Sequence, residues 1–238
     1  MPEFQAGLQS LWGAGGAAGA IIGGAFVDLW GYPAGFLIVS SCFMLSLPLI
    51  VTSAAFRKTP KSAHPKSLEN HNHNVSKTSL KHHRLFWDIS FDALLFNLFL
   101  IGLIFGFLEP TLEPYLDHFH ESSSGIGSVF SVYSLSFSIA SALCVVISHY
   151  KAEVRLLPLA LLLCIVGFII MGPAPFLPFE PSIGLIYASQ VLIGSGVASL
   201  HSLSYASVLK RAIAKGFPEG MDTSSFVSGT VFATYVVG

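Results

Sequence analysis

Charge is scarce in this chain of 238 residues. Asp, Glu, Lys and Arg together make up 11% of it, where a soluble domain carries roughly 25%, and mean hydropathy is +0.68. A water-soluble core of this size is excluded, because the polar surface to cover it is missing. Basic residues are absent from every long apolar run: the twelve Lys and Arg fall within 57–84, 151–155 and 210–215. No nucleic-acid partner is expected, and the net charge of −1 says little because the two signs are segregated. Cysteine is almost missing as well. Cys42, Cys144 and Cys164 stand alone in apolar runs, which excludes a disulfide framework and a CxxC metal site and leaves small packing residues.

Apolar length is what the chain has in abundance. A spanning helix needs about 20 mostly apolar residues, and by that measure the sequence predicts crossings at 7–28, 33–55, 91–110, 125–148, 156–172 and 183–209. A further apolar run begins near Ser225 and is about 14 residues long at Gly238, too short to cross unaided. The chain therefore reads as truncated. An even number of crossings separates each basic stretch from the next, so all three lie on one side, the cytoplasmic one by the positive-inside rule. The first helix can direct insertion without a signal peptide. The fold class is all-α, a polytopic membrane protein.

Residues 56–85 hold seven of the twelve basic residues, with Pro, Ser, Asn and His, and read as a cytoplasmic linker between helical bundles. On that division 1–55 is the last two helices of an N-terminal bundle, and 86–238 is a truncated C-terminal bundle. The opposite-side loop 113–124 is acidic, with Glu113, Asp117 and Glu121 and no Lys or Arg, while 173–182 is built from prolines. Pro2, Glu3, Gly13 and Ala17 recur at one constant offset as Pro218, Glu219, Gly229 and Ala233. Repeated bundles of this kind are common in secondary transporters.

Small and ionisable residues fall on defined helix faces. Gly15, Gly19 and Gly23, with Gly24 beside the last, let a neighbouring backbone approach. Gly102, Gly106, Glu109 and Glu113 share one face of the third crossing. A carboxylate within a bilayer usually faces a cavity; the other reading is that Glu109 simply ends the helix beside Pro110. Ser131, Ser134, Ser138 and Ser141 form one stripe, and Ser195, Ser199 and Ser202 another, suited to packing or to lining a cavity. His201, one turn from Tyr205, is the histidine set deep in a span: a functional candidate, or a neutral hydrogen-bonded structural residue. Asp28 and Asp92 sit near helix ends and read as interfacial or packing residues. His71, His73, His82 and His83 of the linker lack the convergence zinc requires, so no metal and no cofactor is expected. Asn74-Val75-Ser76 is a formal glycosylation acceptor, expected to stay unmodified in the cytoplasm.

Two motifs carry a family resemblance. Gly15-x-x-x-Gly19-Ala20-x-x-Gly23-Gly24 resembles the antiporter signature of the major facilitator superfamily, G-x-x-x-G-P-x-x-G-G in the fifth helix of proton-coupled exporters, with Ala20 in place of the proline. That resemblance implies a partial major-facilitator fold covering helices five to ten and the start of eleven, with 56–85 as the central linker. Phe107-Leu108-Glu109-Pro110-Thr111-Leu112 resembles the Leu-Glu-Pro-x-Leu motif in the seventh helix of the vesicular amine transporters, solute carrier family 18. Their glutamate lines the amine site, and Glu109 is the matching position. Glu113-Pro114 and the tail from Gly216 through Asp222-Thr223 to Val227-Ser228-Gly229 resemble the vesicular polyamine transporter-like branch. Monoamine carriers place aspartates near where Ser199 and Ser228 stand, a departure from their proton relay, and His149 stands near an expected Asp of the helix-eight loop motif.

The resemblance implies a proton-coupled antiporter of an organic cation, a polyamine or related amine. It would be monomeric when full-length and sit in the lipid bilayer of an intracellular vesicle. No enzymatic activity is expected. Glu109, Glu113, His201, Tyr205 and Ser199 are the substrate-binding candidates; Gly15, Gly19, Gly23, Gly24, Gly102 and Gly106 are the helix-packing candidates. Two other readings stay open: a broad-specificity drug-efflux carrier, which would not need Leu108-Glu109-Pro110, and a membrane protein without transport activity.

Overall fold

The computed structural model describes residues 2–31, a few positions between 33 and 44, 88–149, 153–172, 180–218 and 220–237. Beyond those few positions, the expected crossing 33–55 and the linker 56–85 lie outside the described residues. Among the described residues six continuous helices follow one another: α1 (Pro2–Trp30), α2 (Ile89–Asp117), α3 (Ser123–His149), α4 (Glu153–Met171), α5 (Ile183–Ala214) and α6 (Met221–Val237). Among the described residues there is no strand. In α1, α2, α3 and α5 the helices are long and apolar enough to cross a bilayer, while the apolar parts of α4 and α6 are the shorter Leu156–Met171 and Thr223–Val237. The 19 residues of α4 still rise about 28 Å, close to the roughly 30 Å of a hydrocarbon core.

Helix limits follow local chemistry more than hydropathy. Asp88, in extended conformation, opens α2 by accepting a hydrogen bond from the Ser90 N–H at 3.2 Å. The sequence predicts an end at Pro110, yet α2 runs on to Asp117 with Pro110 and Pro114 inside it. Each proline removes a single i→i−4 donor, and a bilayer leaves the remaining backbone groups no partner but the helix itself. At the end of α5, Gly216 adopts φ +90, its N–H reaches the Ile213 carbonyl at 2.9 Å and the Phe217 N–H reaches that of Ala212 at 3.2 Å. This is a Schellman closure that only a residue tolerant of positive φ makes cheaply.

α5 is the central helix. α3 and α4 pack on opposite sides of it, and α2 and α6 pack against it and each other. The approach is close because two glycines face the neighbours: a Cβ on Gly194 would lie 2.5 Å from the Tyr133 carbonyl of α3, and one on Gly196 would lie 2.9 Å from the Ala160 carbonyl of α4. Asp88 pairs with Lys215 at 3.2 Å and Arg211 at 3.7 Å, tying the start of α2 to the end of α5. The Lys215 ammonium, then the Ser90 N–H, hold the Asp88 carboxyl below its usual range.

α1 packs along the whole of α3. The serine stripe of α3 is a packing seam here, donating hydroxyls to carbonyls of α1: Ser131 to Ala17 at 2.8 Å, Ser138 to Ser10 at 2.6 Å and Ser141 to Ala6 at 3.1 Å. At the far end Asp28 of α1 caps α3, accepting from the N–H groups of Ser123 at 3.1 Å and Ser124 at 2.8 Å. Large apolar side chains such as Leu11, Phe107, Leu143 and Leu162 stay exposed on the outside of the helices. In water this would be an adhesive surface; lipid tails or further apolar helices suit it.

Candidate functional site

Gln5, Gln9 and Trp12 recur at helical spacing along one face of α1. Opposite them, α2 presents Phe105 and Glu109, α3 presents Tyr133 and Phe137, α5 presents His201, and α6 presents Tyr235. The rings hold each other edge to face. Trp12 meets Phe137 at 5.7 Å, Phe105 meets Tyr133 and Tyr235 at 5.8 Å each, and His201 meets Tyr235 at 6.1 Å between centroids. Two adjoining cavities result, with Trp12, Phe105 and Phe137 common to both walls. The first, of about 190 Å³, has Glu109 in its wall; the second, of about 270 Å³, has Gln5, Gln9, His201 and Tyr235.

The polar groups divide between these cavities. Tyr133 is 7% exposed, and its hydroxyl has no hydrogen-bond partner among the described residues, although it lies in the wall of the Glu109 cavity. Gln9 is fully engaged. Its amide nitrogen meets His201 Nδ1, while its Oε1 accepts from Ser202 at 2.7 Å and Ser141 at 3.2 Å. This cluster joins α1, α3 and α5 at a single point. No group of three or more His, Cys, Asp or Glu side chains among the described residues is placed to hold a metal ion.

Of the residues singled out from the sequence, Glu109 and His201 come together in adjoining cavities. Glu113 is exposed one turn beyond Glu109 and lines neither. Tyr205 is buried against α6 and spends its hydroxyl on Ser228 at 3.0 Å. Ser199 turns its hydroxyl back to the Ser195 carbonyl at 2.8 Å. Gly24 lies against α3, where a Cβ would come within 2.5 Å of the Ser123 carbonyl. Gly15, Gly19 and Gly23 have nothing among the described residues within 4 Å of an added Cβ, and the α1 glycines that do meet α3 beside Gly24 are Gly13 and Gly16. Gly102 is buried and Gly106 exposed on α2. Gln9, Trp12, Phe105, Tyr133, Phe137 and Tyr235 escaped the sequence reading. The available signal was the Gln5–Gln9 pair, two amides four apart in an otherwise apolar helix.

The sequence profile of the Major Facilitator Superfamily matches residues 2–238. The chain belongs to that superfamily. It is a multi-pass membrane protein with a partial major-facilitator fold, and its superfamily is one of transporters, not enzymes. It is similar to the MFS-type transporter SLC18B1 of Mus musculus, with 28% identity over 243 residues, covering 97% of this chain and 48% of the relative. The Rattus norvegicus protein of the same description is 27% identical, again over 97% of this chain and 48% of the relative, and the Homo sapiens one 25% over the same shares. The chain thus spans about half the length of these relatives. No solved structure matches.

Proposed function

We propose that this chain forms part of a proton-coupled antiporter that carries an organic cation, a polyamine or related amine, across a vesicle membrane. The observation that carries the reading is Glu109 in the wall of a cavity whose aromatic lining is Trp12, Phe105, Phe130, Tyr133 and Phe137. A carboxylate supplies the counter-charge to an ammonium, and each aromatic face contributes about 0.5–2 kcal/mol more by cation–π attraction. The unpartnered Tyr133 hydroxyl supplies an acceptor for an ammonium hydrogen. The Leu108-Glu109-Pro110 resemblance to the amine carriers and the similarity to the SLC18B1 proteins favour the same class.

In this reading α1 belongs to one bundle and α2 to α6 to the other, joined through 56–85, and the cavity lies where the bundles meet. Rocking of one bundle against the other exposes it alternately. Glu109 binds either a proton or the cation, so each crossing exchanges one for the other. Glu113, one turn nearer the non-cytoplasmic side, attracts the cation toward Glu109. Gly102 and Gly106 keep α2 slim beside the site, and Ser199 and Tyr205 support the α5 wall behind it. The aromatic walls also suit bulkier lipophilic cations, which favours broad-specificity drug efflux as a second reading.

The test is uptake of radiolabelled spermidine into vesicles containing the intact protein, driven by an imposed proton gradient. Glu109→Gln is nearly isosteric, and it is expected to abolish uptake while assembly and trafficking persist. Normal uptake by that variant would end the reading. Ethidium transported in preference to spermidine would favour the efflux alternative.

A further inference from the structure

We propose that His201 is a second proton-binding residue of the exchange and that Gln9 is the positioning amide serving both of its protonation states. This rests on the antiport reading above. Gln9 on α1 and His201 on α5 are separated by 192 residues and meet between helices, with the amide nitrogen donating to Nδ1. That arrangement suits the neutral ring. A structural histidine would need only this one bond, but the surroundings of Gln9 are built for its reverse as well.

Gln9 Oε1 is held by two hydroxyls, Ser202 at 2.7 Å and Ser141 at 3.2 Å, and hydroxyls can donate or accept. When a proton from water in the cavity binds Nδ1, the amide turns over. Oε1 then accepts from Nδ1–H, and Nε2 donates to the two serine oxygens. Ser141 gives its hydrogen to the Ala6 carbonyl, 3.1 Å away, and Ser202 gives its own to Ser141, 3.5 Å away. Gln9 and the two serines exchange donor and acceptor roles, the Gln9–Nδ1 hydrogen bond is remade in the opposite sense, and one proton is taken up with no other covalent bond made or broken. Among protein side chains, the neutral amide of Gln or Asn offers a donor and an acceptor side by side for such a reversal.

Among the described residues, no Asp or Glu lines the cavity that holds His201. α1 offers Gln5 and Gln9, α3 offers Ser141, α6 offers Tyr235, and Tyr205 on its own helix is turned to Ser228. The adjoining cavity, beyond the shared Trp12, Phe105 and Phe137 wall, holds the Glu109 carboxylate of α2. An imidazolium there repels a cation bound at Glu109 across a medium of low dielectric. Proton and substrate then exclude each other without sharing one atom.

The experiment compares two measurements on the intact protein in proteoliposomes: spermidine uptake driven by a proton gradient, and spermidine counterflow with no gradient. His201→Gln keeps hydrogen bonding but cannot titrate; it is expected to lose gradient-driven uptake and keep counterflow. Gln9→Met is expected to keep counterflow with a pH profile of uptake displaced from that of the wild type. Wild-type gradient-driven uptake and pH profile in His201→Gln would overturn the proposal. Loss of counterflow in an assembled His201→Gln protein would overturn it too, by making His201 part of the binding site. Should His201→Gln fail to assemble, an unchanged pH profile in Gln9→Met overturns it. A wild-type protein with no gradient-driven uptake would remove the antiport reading itself, and this proposal with it.

Discussion

Replacing Gly24 by alanine puts a methyl group where α1 touches α3. The added Cβ would sit 2.5 Å from the Ser123 carbonyl oxygen and 3.1 Å from both the Ser123 carbonyl carbon and Ser124 Cα. These are backbone atoms, which cannot swing aside as a flexible side chain would. To restore an ordinary contact the helices must part by about 1 Å, and overpacking of this kind costs about 1–3 kcal/mol. The same movement stretches the bonds from Asp28 to the Ser123 and Ser124 N–H groups, now 3.1 and 2.8 Å, past the useful range. The overpacking alone sets an expected fall in Tm of about 2–12 °C for a chain of this size. Thermal unfolding in detergent, followed by dye reaction with buried cysteines such as Cys144 and Cys164, reads it directly. The control is the next residue: nothing described lies within 4 Å of a Cβ at Gly23, so Gly23→Ala is expected within about 0.5 kcal/mol of the wild type. Equal melting temperatures for Gly24→Ala and the wild type would refute the close approach of α1 to α3.

Glu109→Asp is expected to retain partial spermidine uptake with altered affinity, because the charge survives on a shorter reach, and Glu113→Gln is expected to matter less than Glu109→Gln. The reverse order in the uptake assay would exchange their roles. Gly19→Leu is expected to impair transport more than Gly19→Ala, since the antiporter resemblance implies a helix against that open face; tolerance of leucine in the intact protein would leave the motif without a packing role. Asp88 has its carboxyl held below the usual 3.8, so its clamp on Arg211 and Lys215 is present above that value and lost as pH falls through the lowered one. Melting curves of the wild type and Asp88→Asn should therefore differ at pH 7 and converge at strongly acid pH; a constant difference would argue against the ion pairs. Cysteines placed at Asn72 and at Ser123 are expected to react with an impermeant reagent from opposite sides of the membrane, and labelling of both from one side would undo the topology.

Composition alone determines that this chain lives in a bilayer, and charge placement predicts which loops face the cytoplasm. Apolar runs of fixed length leave the backbone only the helix, and segregated Lys and Arg orient it. Local chemistry acts at similarly short range: Asp88 as a cap and Gly216 as a stop act within a few residues of themselves. Glu109 stands out because an acid in an apolar helix is costly wherever it points. Which face meets which neighbour is a different kind of information. Helical periodicity puts Gly15, Gly19 and Gly23 on one side of α1 and Gly13, Gly16 and Gly24 on others with equal plausibility, and only the position of α3 decides that Gly13, Gly16 and Gly24 carry its contact. The aromatic walls are hidden for the same reason, since Phe105, Tyr133 and Tyr235 look like any other apolar-span residues until three helices converge on them. The meeting of Gln9 with His201 spans 192 residues. Nothing local in either segment encodes it, because a contact at that range exists only once α1, α3 and α5 have packed.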